Sequence, residues 1–148
     1  MATLCENIKN LSSAASFEPI DPQECLKYRN PGPNTAYLWP VDENELTRLQ
    51  KVFDEESIDL AGTWVTRPRE NCPSCGKREE FMDHVYTAAK TGVHGVSFMK
   101  AFITHEIPAV GTGGGRHDLV CSHCDSIGGE PCEWDYNESY MDFHSDKK

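Results

Sequence analysis

At 148 residues the chain has room for one domain, and its 38% hydrophobic content supports a modest core that a metal ion would reinforce. The 14 basic against 24 acidic residues, a net charge of −10, repel phosphate backbones and argue against nucleic acid as a partner. No apolar run approaches the ~20 residues needed to cross a bilayer, and the opening residues have neither the basic start nor the apolar stretch of a secretory signal. With an odd count of seven cysteines, the expected setting is reducing and cytoplasmic, with no membrane.

Residues 1–40 hold Pro19, Pro22, Pro31, Pro33 and Pro40, so an irregular N-terminal extension is expected there. Phe17, Ile20, Tyr28 and Trp39 give it enough apolar weight to lie across the core of a second unit, residues 41–148. Cys5 and Cys25 have no partners at metal-ligand spacing and read as incidental thiols.

Asp42 followed by Glu45 fits a capping box, and Leu46, Leu49, Val52 and Phe53 recur at helical spacing, which predicts a helix over 43–56. The run 58–66, with Leu60, Trp64 and Val65, suits a strand. It leads to Cys72-Pro-Ser-Cys75, where Gly76 can take a positive φ and Lys77 and Arg78 can offset thiolate charge. The basic residues Arg67, Arg69, Lys77 and Arg78 alternate with Glu70, Glu79 and Glu80, so this run reads as a solvated surface.

A second helix is expected over 78–90, capped by Gly92, with His84 on its flank as a surface or packed residue. The stretch 96–107 reads as a strand, because Val96, Phe98 and Phe102 are strand formers and Pro108 ends the run. The glycine-rich 111–115 lacks phosphate-loop spacing and reads as a hairpin connection or a lid. A strand over 116–120 delivers Cys121-Ser-His-Cys124, and beyond it Cys132, Trp134 and Tyr136 alternate on one face of a further strand.

A Cys-x-x-Cys turn supplies half of a tetrahedral shell, so Cys72, Cys75, Cys121 and Cys124 together read as the ligands of one structural Zn2+. Two rivals are unrelated pairs of reduced, buried cysteines and a thioredoxin-like redox pair, but the latter needs no second pair. The fold class that follows is α+β, a small antiparallel β-sheet domain pinned by a four-cysteine zinc site in a zinc-ribbon-like manner, with one or two flanking helices.

The two cysteine pairs stand too far apart for the hairpin of a simple zinc ribbon. This layout resembles the β-tent group of zinc folds, which includes methionine sulfoxide reductase B, the Yippee proteins and the cereblon ligand-binding domain. The run from Arg116 through His117, Asp118 and the second pair to Asp125, with Gly128 after it, looks like the second-knuckle region of the reductase. The resemblance spans about residues 72–128 and implies the zinc site and two pinned sheets. It does not extend to the reductase activity. His94-Gly-Val-Ser-Phe98 lacks the tryptophan of the reductase's corresponding stretch, and Cys132 follows the second pair too closely to match its catalytic cysteine.

Two classes of function remain open. One is a zinc-stabilised module that binds a protein or a small ligand through exposed aromatic residues, with Trp64, Trp134 and Tyr136 as the contact residues and Tyr140 and Phe143 as further candidates. The other is a small enzyme using His94, His105, Glu106, His117 and Asp118 near the glycine-rich loop, or thiol chemistry at Cys132.

Overall fold

The computed structural model describes residues 3–29, 37–60, 62–65, 68–92, 95–104, 106, 117–132 and 134–135. Thr3 opens the first helix, α1 (Leu4–Leu11), with a reciprocal capping box: its hydroxyl accepts from the Glu6 amide, and the Glu6 carboxylate accepts from its own amide. A single 3-10 turn, Ser12–Ala14, follows. Asp21 caps α2 (Pro22–Lys27), whose first position is the proline that tolerates having no amide hydrogen. Residues 3–40 thus contain two helices and the strand β1 (Tyr37–Pro40), where the proline content suggested irregular chain.

Helix α3 (Glu43–Phe53) forms where its apolar period predicts, with the Asp42 carboxylate accepting from the Glu45 amide at 2.8 Å. Glu45 does not complete the box. Its side chain turns inward, 2% exposed, and accepts from the Met82 amide at 2.7 Å, so it ties α3 to α4 (Phe81–Thr91) instead. Helix α4 ends on Gly92 at φ 76°, the left-handed cap its sequence suggests. Nearly every side chain of α4 from Phe81 to Ala88 is buried, including His84 at 1% exposure, so this is the central helix and not a flanking one.

The strand expected over 96–107 is a helix, α5 (Val96–Ile103). Met99, Phe102 and Ile103 are buried at i, i+3 and i+4, and Phe98 meets Phe102 edge-on with centroids 4.6 Å apart. Burial of one helical face outweighs the strand preference of its residues, which is itself largely a measure of packing context. The described residues therefore hold five α-helices where one or two were expected.

The strands form two small antiparallel sheets. In one, β2 (Gly62–Val65) lies between β1 and β5 (Trp134–Asp135), with Trp39 opposite Thr63 and Val65 opposite Trp134. In the other, β3 (His117–Val120) pairs with β4 (Ile127–Cys132), with a register irregularity between His117 and Leu119. The main core joins α1, α3, α4, α5 and β3 through Ile8, Leu49, Phe81, Val85, Met99 and Val120. A smaller cluster of Cys25, Tyr37, Trp39 and Val65 lies under α2 and the first sheet. Among the described residues, no helix is long and apolar enough to cross a membrane.

Charged residues hold the elements together from inside. Arg48 grips the Glu80 carboxylate with two bonds of 2.7 Å, joining α3 to the start of α4. Arg69, Lys77 and Glu80 are 7%, 1% and 8% exposed, so these members of the basic and acidic run around the first cysteine pair do not belong to the solvated surface its composition suggests, whereas Glu70 is exposed and Arg78 and Glu79 are half-buried. Its alternating signs instead serve to pair charges that tertiary packing removes from water.

Candidate metal centre

The two cysteine pairs sit on turns of the same construction. In the first, the Cys72 amide donates to the Lys77 carbonyl at 2.8 Å, the Gly76 amide donates to the Cys72 carbonyl at 2.9 Å, and Gly76 has φ 83°. In the second, the Cys121 amide donates to the Ser126 carbonyl and the Asp125 amide to the Cys121 carbonyl, both at 2.9 Å, and Asp125 has φ 66°. Each turn needs a left-handed residue directly after its second cysteine. Glycine takes that conformation without strain, and aspartate is among the few side chains that tolerate it.

This twin geometry brings four sulfurs together. The Sγ atoms of Cys72, Cys75, Cys121 and Cys124 all lie within 4.8 Å of one another. Cys72 is 3.5 Å from Cys124, and Cys75 is 3.6 Å from Cys121. A Zn–S bond of about 2.3 Å places tetrahedral sulfurs about 3.8 Å apart, so the separations fit a metal-thiolate shell and are far longer than a disulfide of about 2.05 Å. The His123 amide lies 3.4 Å from the Cys121 sulfur, and the Ser126 hydroxyl 3.1 Å from that of Cys124, both suited to donate to thiolates. Burial pushes the Cys121 thiol up. It acts the same way on Cys124, but hydrogen bonds from the Ser126 hydroxyl and amide prevail and hold that thiol down at about 6.

Asp83, on the first turn of α4, joins the two turns. One carboxylate oxygen accepts from the Ser122 amide at 3.0 Å and the Ser122 hydroxyl at 2.7 Å, inside the second cysteine turn. The other accepts from Lys77, which follows the first turn, at 2.6 Å and from the Glu80 amide at 2.9 Å. Lys77, expected to offset thiolate charge from the surface, is thus a buried partner of Asp83. Lys77 and the Ser122 donors hold the Asp83 carboxyl below its ordinary value against the opposing effect of burial.

The N-terminal helix closes over the second turn. Ser12 bonds His123 at 2.8 Å, and Phe17 meets the His123 ring edge-on at 5.2 Å. Lys9 and the Tyr86 hydroxyl both contact the Asp125 carboxylate, and Lys90 reaches it at 2.7 Å. These cations and the phenol hold the Asp125 carboxyl well below the usual range, although burial opposes them.

Asp83, Ser122 and Ser12 escaped sequence reasoning. Glu80 and Asp83 at a helix start signal a cap, but nothing in their spacing reports a partner far away in the chain. Cys25 is buried apart from the four sulfurs, with its thiol 3.8 Å from the Arg69 carbonyl, and Cys5 also lies outside the cluster.

Trp64 and Trp134 belong to neighbouring strands, but the register sets Trp64 opposite Asp135 and Trp134 opposite Val65, so they are not cross-strand partners. Tyr136, Tyr140 and Phe143 lie outside the described residues, as do His94, His105 and the 111–115 loop. Glu106 and Asp118 are exposed, and His117 pairs with Cys132 through the strand backbone. One family, described as a domain of unknown function (DUF8243), matches residues 12–141. No curated protein and no solved structure matches the chain.

Proposed function

The chain belongs to the family DUF8243, a domain of unknown function, and we propose that it is a binding module whose fold is stabilised by one structural Zn2+. The observation that carries the metal reading is the convergence of four cysteine sulfurs within 4.8 Å on two turns of identical hydrogen bonding. Cys72, Cys75, Cys121 and Cys124 supply all four ligands, which leaves no open position for a metal-bound water and suits a structural ion better than a catalytic one. When bound, the ion supplies folding free energy, because the unfolded chain holds no preformed site.

Ligand pairs carried before α4 and at the end of β3 support the β-tent resemblance, in which such pairs pin separate parts of the fold. The partner is a protein or a small molecule, with Trp64, Trp134 and Tyr136 as contact residues. A chain of net charge −10 disfavours nucleic acid as a partner.

Replacement of Cys72 by Ser, or extraction of the metal by a chelator, is expected to abolish the cooperative fold and not merely to alter a binding property. Circular dichroism and soluble yield measure this. Cys72→Ser protein that folds as the parent does would refute the reading.

A further inference from the structure

Arg69 has no role in the metal site, yet it is a buried cation. It is 7% exposed, and its Nη1 donates to the Glu79 carbonyl at 3.4 Å. Its Nε and Nη2 are buried with no hydrogen-bond partner among the described residues. Those two nitrogens share one edge of the guanidinium, the edge that meets both oxygens of a carboxylate side-on. Buried donors of this kind are ordinarily satisfied, and leaving one unmade is costly.

The Arg69 guanidinium lies over the face of the Trp39 ring. The Arg69 guanidinium carbon is 5.3 Å from the Trp39 ring centroid, and the Trp39 indole nitrogen, a donor only, is also buried without a partner among the described residues. Both side chains line a cleft of about 380 Å3, whose walls include Ala15, Tyr28 and Pro40. That volume is within the range of small-molecule sites.

We propose that this cleft binds a small organic monocarboxylate, with its carboxylate on the free edge of Arg69 and the Trp39 indole N–H and its apolar body against Ala15, Tyr28 and Pro40. The other cations of the cleft are engaged, Arg48 by Glu80 and Arg78 by Glu24 at 3.9 Å. Asp42, Glu24, Glu45, Glu79 and Glu80 line the same walls, Glu45 being the acidic group that acts most strongly on Arg69, and together they repel a second negative charge, which favours a monoanion over phosphate. Burial pushes the Arg69 guanidinium down, a cost that a bound anion would offset.

This inference rests on the binding-module reading and gives it a second site and a ligand class, but it does not require the metal claim. The test is a titration of 15N-labelled protein with benzoate, read at the Trp39 indole N–H and assigned with Trp39→Phe, with zinc content measured on the same sample. Benzoate is expected to give a saturable shift that the neutral isostere benzamide does not. Affinity should fall at least tenfold in Arg69→Lys, whose ammonium cannot reproduce the planar fork.

Should Arg69→Lys fold poorly, Ser16→Phe narrows the cleft from an exposed position and should also abolish the shift. No saturable shift, an equal shift with benzamide, tighter binding of inorganic phosphate, or benzoate binding retained in Ser16→Phe would each overturn the proposal. Zinc content is unaffected by any of these outcomes, so failure here is separable from failure of the metal site.

Discussion

Without the Asp83 carboxylate, Lys77 would be an ammonium 1% exposed with its closest carboxylate gone, and Ser122 would lose the acceptor of both its amide and its hydroxyl. Breaking one partner of a buried ion pair costs about 3–5 kcal/mol, so Asp83→Ala should lower stability by that order in urea unfolding and release the metal at lower denaturant than the parent does. An unchanged midpoint would contradict the bridging role. Glu45 gives a second prediction at this scale. Burial and the neighbouring Glu80 push its carboxyl from 4.5 up to about 8, against the attraction of Arg69 and Arg48 and the hydrogen bond from the Met82 amide. The folded state therefore keeps a proton that the unfolded state releases. The resulting stability is present in full below about 4.5 and is lost as pH rises through about 8. Glu45→Gln should flatten that fall when urea midpoints of variant and parent are compared across the range from about pH 5 to about pH 8.5, and identical pH profiles would contradict the assignment.

At the scale of elements, the cysteine turns and helices α3 and α4 were legible because their signals are local. A Cys-x-x-Cys spacing followed by Gly76 encodes one turn, and Leu49, Val52 and Phe53 share a face whatever lies opposite. Helix α5 was not legible, since Val96, Phe98, Phe102 and Ile103 suit a strand until the core claims one face of them. Met99→Ala and Phe102→Ala should each cost about 2–5 kcal/mol, because a helix buries both, whereas a strand would place residues of odd separation on opposite faces. A large loss at one position and none at the other, by thermal or urea unfolding, would favour the strand. The buried charges were equally hidden. Arg69, Lys77 and Glu80 have the composition of a wet surface, and only the placement of Asp83, Arg48 and Trp39 from distant segments shows why they are inside.

For the whole molecule, the four sulfurs lie where the two cysteine turns meet. Residues 72–77 enter from one side and β3–β4 from the other, with α4 behind both through Asp83 and through Thr87, whose hydroxyl accepts from the Val120 amide at 2.9 Å. The N-terminal helix covers the second turn through Ser12, Phe17 and Lys9, so metal loss should loosen that helix together with the turn. The most direct test is elemental analysis of purified protein combined with thiol titration before and after denaturation. The expected result is one zinc per chain, with Cys72, Cys75, Cys121 and Cys124 becoming reactive only when the chain unfolds and the ion departs. Purified protein free of metal, with all four of these cysteines reactive in the folded state, would contradict it.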